Sequence, residues 1–242
     1  MMAVVQARRI DKILIANRGA IACRIIRTVA ALGKQSVAVY AQDDVDSRHI
    51  DLADEACSLG AGLVSDTYLN QAKILEIALA TGAQAIHPGY GFLAENAAFE
   101  QRCADLGIAF LGPTSEQMRV FGLKHSARAL AEQNAVPLLP GSPLLADLNA
   151  ALAFAEAVGY PLMLKSTAGG GGIGMRICRS AAELNAAFAT VQQLAANNFG
   201  DAGVFLERYV ENARHVEVQV LGDGAGQVLA LGGEVGQVMA VG

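Results

Sequence analysis

The sequence has few of the features that mark membrane proteins or nucleic-acid-binding proteins. No run approaches the roughly 18 consecutive apolar residues of a membrane-spanning helix. The formal net charge is -5, so there is no basic surplus to attract a phosphate backbone or anionic lipid, and aromatic residues make up only 5% of the chain. We therefore expect neither nucleic acid nor a membrane as a partner.

Cysteine is also scarce, and its spacing excludes two common uses. Cys23, Cys57, Cys103 and Cys178 are widely separated, and no two of them form a C-x-x-C pair. The spacing predicts neither a zinc site nor a disulfide framework. The opening segment, MMAVVQARRI, has its basic pair after the apolar residues, which is the reverse of a secretory signal. We expect buried thiols in a cytoplasmic protein.

The first half of the chain alternates between strand and helix patterns. "KILIAN" from Lys12 predicts a buried strand, "RGAIACRIIRTVAALGK" a helix that ends at Gly33, and "SVAVY" a second strand. Strand, helix and strand in about thirty residues form a βαβ unit with parallel strands. The alternation continues through "AQAIH" and "IAFLG". Residues 1–113 are therefore predicted to be an α/β domain with a doubly wound parallel sheet.

A different pattern begins at "VPLLPGS", where prolines and a glycine interrupt the alternation. A helix is predicted from the N-cap Asp147 to Gly159, followed by two apolar segments around a glycine run. Two further strands are predicted at "GVFLERYV" and "RHVEVQVLGD". Residues 114–242 are predicted to be a smaller α+β domain with antiparallel strands.

The four consecutive glycines in "KSTAGGGGIGM" could be a flexible linker, but their flanks favour another interpretation. Linkers join polar segments, whereas "YPLMLK" and "GMRICR" are apolar and predict paired strands. A hairpin tip without side chains can lay backbone N–H groups against an anion and then lift away, as a mobile phosphate lid does. Neither a Walker A loop nor a dinucleotide fingerprint is present, and Lys165 beside the loop is a candidate for neutralising phosphate charge.

Other polar residues could belong to a binding site or could simply face solvent. For Lys124, the second interpretation is an exposed lysine on a helix. His215, Glu217 and Gln219 share one face of a predicted strand, where they could meet a ribose or phosphate or simply face solvent. His87 precedes a Pro-Gly turn and could be no more than a residue that packs against that turn. His49 and His125 are expected at the surface.

Five stretches together resemble the biotin carboxylase family, whose members have the ATP-grasp fold. They are "KILIANRGAIACRIIRT", "AIHPGYGFLAEN", "AFLGPTSEQMR", "YPLMLKSTAGGGGIGM" and "RHVEVQVLGDG", in the family's order from about residue 10 to about residue 231. The resemblance implies that ATP activates bicarbonate as carboxyphosphate and that the carboxyl group passes to biotin on a mobile carrier domain. It also implies Mg²⁺ in the complete enzyme and a homodimer.

The resemblance assigns roles to individual residues by their motif positions. Lys124 and Lys165 would contact the ATP phosphates, and Gly171 and Gly172 would lie in the lid over the nucleotide. His215 would complete the nucleotide pocket. The adenine would be held, through backbone groups, by four consecutive residues: Glu207, Arg208, Tyr209 and Val210.

Within the family, the sequence resembles that of urea carboxylase, which is also found as part of urea amidolyase. Ile173 after the glycines, with "PGSPLLADLNAAL" and "NNFGDAGVFLE", carries this likeness. Some bacterial members of that branch are thought to prefer guanidine. Two alternatives stay open: the equivalent part of an acyl-CoA carboxylase, and a non-catalytic nucleotide-binding or dimerisation module.

The sequence departs from the family pattern in two places. Ala20 lies where the family usually has glutamate. After "VLALG", the sequence does not continue with the family's "ERDC"-like segment. By resemblance, the lysine that helps bind bicarbonate, the two acidic magnesium ligands and the catalytic arginine would all follow that point. Residues 114–242 would thus be a truncated ATP-grasp domain without catalytic or metal residues, and we expect these 242 residues alone to bind nucleotide without carboxylating biotin.

Overall fold

The computed structural model describes residues 9–167, 174–199, 202–214, 216–223 and 226–234. These residues belong to two compact units that divide between Leu130 and Ala131. The first unit has one sheet with an apolar cluster on each face, and the second unit has two sheets and an apolar cluster of its own.

The first unit contains a five-stranded parallel sheet with the order β3-β2-β1-β4-β5. Its strands are β1 Lys12–Ile15, β2 Gln35–Ala41, β3 Glu55–Gly60, β4 Ala85–His87 and β5 Ala109–Phe110. The helices that begin in this unit are α1 Gly19–Ala31, α2 Arg48–Leu52, α3 Gln71–Thr81, α4 Ala97–Asp105, α5 Ser115–Phe121 and α6 Lys124–Gln133. The predicted doubly wound parallel fold is confirmed.

The sheet of the first unit is buried on both faces, as expected for parallel strands between helices. Ile13 and Ile15 of β1 pack with Ile25 and Ile26 of α1 on one face. Leu14 belongs to the cluster on the opposite face. Consecutive apolar residues in β1 therefore serve two cores, which is why the strand is a continuous apolar run in the sequence.

Strand β3 was not predicted from the sequence. Its six residues, EACSLG, include one large apolar side chain, Leu59, and the strand lies at the edge of the sheet. An edge strand needs less apolar character because one of its sides has no neighbouring strand.

His49 corrects a second expectation from the sequence. It lies in α2, is fully buried, and its Nε2 is 3.2 Å from the carbonyl oxygen of Val39. Its Nδ1 is buried with no hydrogen-bond partner among the described residues. The polar neighbours of His49 in the sequence conceal this burial, because α2 is too short to show a clear apolar face. His125, also expected at the surface, is half-buried.

The second unit contains a three-stranded antiparallel sheet with the order β7-β6-β8 and a separate antiparallel ribbon of β9 and β10. Its strands are β6 Leu162–Ser166, β7 Met175–Cys178, β8 Val204–Arg208, β9 Glu217–Gly222 and β10 Val228–Glu234. Its remaining helices are α7 Leu148–Val158 and α8 Ala181–Phe199. The predicted α+β architecture is confirmed.

The predicted limits of α7 are confirmed by its hydrogen bonds. The Asp147 side chain accepts a bond of 2.8 Å from the backbone N–H of Ala150, as an N-cap residue does. Gly159 follows the last helical residue. Ala151 and Ala155 then pack, with residues of α8, against the buried side of the three-stranded sheet.

All four cysteines are free thiols. Three are buried, as expected, and Cys57 is half-buried. Burial raises the pKa of the Cys103 thiol to about 12 and also raises that of Cys178. Among the helices of the described ranges, none is both long and apolar enough to cross a membrane.

Candidate functional site

Strand β6 turns two sets of side chains to opposite faces of its sheet. Leu162 and Leu164 are fully buried in the core that faces the helices. Met163 and Lys165 lie on the other face, because successive side chains of a strand alternate. The side chain of Lys165 is 25% exposed, so its ammonium group is partly withdrawn from water.

A glutamate on the neighbouring strand meets this lysine. Lys165 Nζ lies 2.5 Å from Oε2 of Glu207, whose side chain is 15% exposed. The pair follows from the register of β6 and β8, in which Met163 is opposite Glu207 and Lys165 is opposite Phe205. Both side chains therefore share the face that points away from the helices, and they form a charge-assisted hydrogen bond there.

Strand β8 is held along its second edge by the segment that contains the "PGS" motif. The backbone N–H of Ser142 donates to the carbonyl oxygen of Leu206 at 2.8 Å, and the N–H of Arg208 donates to that of Pro140 at 2.8 Å. The Ser142 hydroxyl also accepts a bond from Leu206 N–H. Glu207 thus lies on a strand that is hydrogen-bonded on both sides.

The residues after Glu207 anchor the end of β8. The guanidinium group of Arg208 donates to the carbonyl oxygens of Val158 at 2.9 Å and Gly159 at 3.2 Å, at the C-terminal end of α7. A cation is favourable at this position because helix carbonyl groups point towards it. Tyr209 N–H donates to the carbonyl oxygen of Pro161 at 3.1 Å, and Val210 is exposed.

The structure confirms that the two segments beside the glycines pair as a hairpin. Strands β6 and β7 are antiparallel, with Lys165 opposite Met175, and Ser166 N–H donates to the carbonyl oxygen of Gly174 at 2.8 Å. Gly174 has a φ of +74°, and a Cβ there would lie 2.6 Å from Ser166 Oγ. Glycine is therefore required at the base of the hairpin.

Three residues with predicted roles lie outside the described residues: Gly171 and Gly172 of the lid, and His215. Of the two neighbours assigned to the face of His215, Gln219 is exposed in β9. Its side-chain amide donates to the carbonyl oxygen of Val220. Lys124 is half-buried at the first position of α6, which begins in the first unit.

In the first unit, the loops after β1 and β4 lie side by side at the point where the strand order reverses. Asn17 is almost fully buried, and its Nδ2 donates to the carbonyl oxygens of Pro88 and Tyr90, each at 2.8 Å. A Cβ on Gly89 would lie 2.6 Å from that nitrogen. In open parallel sheets, ligands bind beside the carboxyl ends of the strands at such a reversal, and in this structure an asparagine joins the two loops there.

A second polar cluster supports the same loop. Tyr68 is buried, its hydroxyl donates to the Asp44 carboxylate at 2.7 Å, and its ring stacks on Phe92 with centroids 5.1 Å apart. Arg18 lies 3.1 Å from the same carboxylate. Burial, together with the hydrogen bond to Asp44, raises the pKa of the Tyr68 hydroxyl above its usual value.

The chemistry of the Lys165 side of the sheet suits a phosphorylated ligand. A half-buried ammonium group lies at the base of a hairpin whose tip is rich in glycine, and its charge is balanced by a carboxylate. Val210, which is exposed, lies just after the strand that carries this carboxylate. Within the described ranges, no group of three or more His, Cys, Asp or Glu side chains is arranged to hold a metal ion.

Two family profiles match the chain. The family described as "Biotin carboxylase, N-terminal domain" matches residues 9–118. The family described as "Carbamoyl-phosphate synthase L chain, ATP binding domain" matches residues 124–237. The two matches follow one another along the chain.

Curated relatives cover nearly the whole chain. Urea amidolyase of Lachancea kluyveri is 51% identical over 222 residues, which are 92% of this chain and 12% of that protein. Biotin carboxylase 1 of Bacillus subtilis strain 168 is 46% identical over 224 residues, which are 92% of this chain and 50% of that protein. The chain thus spans about half the length of the biotin carboxylase and a small part of the urea amidolyase.

Solved structures agree with these matches. A biotin carboxylase–β-γ-ATP complex from Campylobacter jejuni has a TM-score of 0.89 and 41% identity, over 92% of this chain and 50% of that one. The biotin carboxylase domain dimer of the Hydrogenobacter thermophilus 2-oxoglutarate carboxylase, with MgADP, ADP and bicarbonate, has a TM-score of 0.86 and 44% identity. That match covers 93% of this chain and 50% of the other.

Proposed function

This chain belongs to the biotin carboxylase family, and from that premise we propose that it forms the nucleotide-binding part of an ATP-dependent biotin carboxylase. The complete enzyme would activate bicarbonate with ATP and carboxylate biotin on a carrier domain. The observation that carries the proposal is the half-buried ammonium of Lys165 at the base of the glycine-rich hairpin. Glu207 takes up one contact of this ammonium group, and the remaining N–H donors are suited to phosphate oxygens.

Each of the proposed binding residues has a separate task. Lys165 and Lys124 neutralise phosphate charge, and the hairpin with Gly171 and Gly172 lays backbone N–H groups on the phosphates. The backbone of residues 207–210 holds the adenine, and His215 completes the pocket. ATP, when bound, supplies the phosphoryl group that activates bicarbonate. Mg²⁺ would accompany it, although no magnesium ligand of this chain is assigned.

The proposed functional division keeps the nucleotide-binding residues within 114–242 and the doubly wound domain within 1–113. The start of the matched ATP-binding profile at residue 124 supports this division.

A homodimer is part of the proposal, supported by the dimer named for the Hydrogenobacter thermophilus relative. A sedimentation mass of twice 25.1 kDa is expected, and a monomer at all concentrations would contradict it. A cytoplasmic location, expected from the unpaired cysteines, also belongs to the proposal.

We further propose urea as the final carboxyl acceptor. The support is the 51% identity with two urea amidolyases, against 46% and 49% for two bacterial biotin carboxylases and 45% for a putative urea carboxylase of Emericella nidulans. The enzyme that contains this chain is expected to cleave ATP in the presence of bicarbonate and urea. The same assay with guanidine and with acetyl-CoA separates the alternatives, and a response to acetyl-CoA alone would contradict the proposal.

Calorimetric titration of the 242-residue chain tests the nucleotide site. ATP is expected to bind, and Lys165→Met is expected to weaken ATP binding at least about tenfold, because a charge-assisted contact to phosphate is lost. The affinity for adenosine is expected to stay the same.

Arg179→Met is the matched control in the same unit, since Arg179 forms an exposed ion pair with Glu211 and has no proposed role. Absence of ATP binding by the unsubstituted chain, or equal affinities in the Lys165→Met and Arg179→Met variants, would contradict the proposed site.

The expectation that the 242 residues alone do not carboxylate biotin remains a prediction. Bicarbonate-dependent ATP cleavage by the purified chain would contradict it.

A further inference from the structure

The carboxylate of Glu207 lies against the ammonium group on which the proposed site depends. Its Oε2 is 2.5 Å from Lys165 Nζ, and both side chains are mostly shielded from water. We propose that the Glu207 side chain is a positioning residue: it holds the Lys165 ammonium where the nucleotide phosphates bind. This inference rests on the proposed function, and it adds a side-chain role to a residue whose backbone alone was assigned to the adenine.

The position of the carboxylate is fixed by the strands around it. Glu207 is opposite Met163 of β6 and forms an isolated bridge with Gly141 on the other edge of β8. The hydrogen bonds of Leu206 and Arg208 to the 140–142 segment flank it on both sides. A side chain on such a strand has few backbone motions available, so it can hold a partner accurately.

A lysine gains more from such a partner than most residues would. Its four-carbon stem loses rotamer entropy when it is ordered, and its charge is strongly hydrated when it is exposed. A carboxylate from β8 selects one arrangement before the ligand arrives, which lowers the ordering cost of binding. An ammonium group has three N–H donors, so a bond to Glu207 is compatible with further bonds to phosphate oxygens.

The first unit contains a pair of the same kind that serves as a control. Lys12 Nζ lies 2.5 Å from Glu55 Oε1, and it also donates to the carbonyl oxygen of Thr81 at 2.9 Å. That ammonium is thus tied to a helix end as well as to a carboxylate, which describes a structural pair. Glu55→Gln removes the same charge at the same distance without touching the proposed site.

A double-mutant cycle with Glu207→Gln and Lys165→Met tests the inference in the 242-residue chain. We expect Glu207→Gln to weaken ATP binding about tenfold and to leave adenosine binding unchanged. In the Lys165→Met background, Glu207→Gln is expected to have no further effect, because its action passes through the lysine. Glu55→Gln is expected to leave both affinities unchanged.

Several outcomes would overturn the inference, and they are distinguishable from failure of the proposed function. Unchanged ATP affinity in Glu207→Gln, while Lys165→Met weakens it, rejects the positioning role alone. Equal losses in both lysine backgrounds, or an equal loss for adenosine, also reject it. Absence of ATP binding by the unsubstituted chain rejects the proposed function and the inference with it.

Glu207→Asp replaces Glu207→Gln if thermal melting shows that the glutamine variant does not fold. Aspartate keeps the charge but is one methylene shorter, so from the same position on β8 it reaches Lys165 less well. ATP affinity is expected to fall, and the fall is expected to disappear in the Lys165→Met background. An unchanged ATP affinity in Glu207→Asp would then overturn the inference.

Discussion

At the scale of single residues, Asn17 connects two loops that are more than seventy positions apart in the chain. Its side-chain amide donates to the carbonyl oxygens of Pro88 and Tyr90, and its Oδ1 accepts a bond of 2.9 Å from Arg18 N–H. Both hydrogen-bonding atoms of this buried side chain therefore have partners, and the two bonds of Nδ2 hold the loops together.

Replacement of Asn17 by alanine is expected to lower the free energy of unfolding by about 2 kcal/mol, because the buried carbonyl oxygen of Pro88 and the partly buried one of Tyr90 lose their donor. Denaturant titration measures this change. Asn198→Ala is the control, since Asn198 is exposed and its amide donates to the carbonyl oxygen of Leu194 one turn earlier in α8. Equal effects of the two substitutions would show that the Asn17 contacts contribute little.

His87 makes the stability of the first unit depend on pH. Burial, and secondly the nearby charge of Arg24, lowers the pKa of His87 from its ordinary value of 6.5. Its Nδ1 accepts a bond of 3.0 Å from Gly89 N–H, which requires that this nitrogen carries no proton. The folded protein therefore favours the neutral ring.

The sign of the pH effect follows from proton binding in the two states. Below about pH 6.5 the unfolded chain takes up a proton at residue 87 that the folded chain does not, so stability is lost as the pH falls towards the lowered pKa. His87→Asn keeps an acceptor for Gly89 N–H but does not titrate. Denaturation midpoints measured from pH 7 to pH 5 are expected to fall less steeply in this variant, and identical slopes would contradict the assignment.

The sequence points to residues through their near neighbours, but it does not show contacts between distant residues. Lys165 is a candidate from the sequence because it interrupts an apolar segment beside a glycine run. The carboxylate that pairs with it is 42 positions away, and the pairing depends on the register of β6 and β8. The burial of His49 was missed because α2 is only five residues long and shows no clear apolar face.

At the scale of secondary-structure elements, the stability of the β6–β7 hairpin depends on Gly174 at its base. Gly174→Ala would place a methyl group in an unfavourable backbone region, at +74°, and 2.6 Å from Ser166 Oγ. Gly82 has a similar φ of +70°, but a Cβ there would meet nothing within 4 Å. Alanine at Gly82 would therefore introduce backbone strain alone, whereas alanine at Gly174 would introduce strain and a steric clash.

Gly174→Ala is expected to destabilise the protein by about 2–3 kcal/mol, and Gly82→Ala by about 1 kcal/mol, since only the first combines strain with a clash. Thermal unfolding of both variants measures the difference. ATP affinity is expected to fall only in Gly174→Ala, because the clash lies beside Lys165. Equal destabilisation of the two variants would mean that Ser166 can move aside.

Local patterns also explain which elements could be predicted. Helix α7 has a capping aspartate at one end and a glycine at the other, so both limits were visible in the sequence. The segment around Ser142 contained only turn signals, and nothing there indicated that it would line the edge of β8, 64 positions later. Long-range strand pairing is set by the packed structure and leaves little trace in composition.

At the scale of the whole molecule, the two compact units have different architectures that were predictable from the order of their elements. Alternating strands and helices led to the parallel sheet of the first unit, and apolar segments joined by a short glycine loop led to the antiparallel sheet of the second. Each unit has a separate apolar core.

Hydrogen–deuterium exchange with and without ATP tests the central claim most directly, because it reports on every part of the chain in one measurement. Saturating ATP is expected to slow exchange in peptides that cover residues 162–178 and 204–210, since backbone groups there become bound or covered. Peptides of β1 and α1 are expected to exchange at unchanged rates. Protection confined to residues 12–31, or no protection anywhere at saturating ATP, would contradict a nucleotide site built on Lys165 and its hairpin.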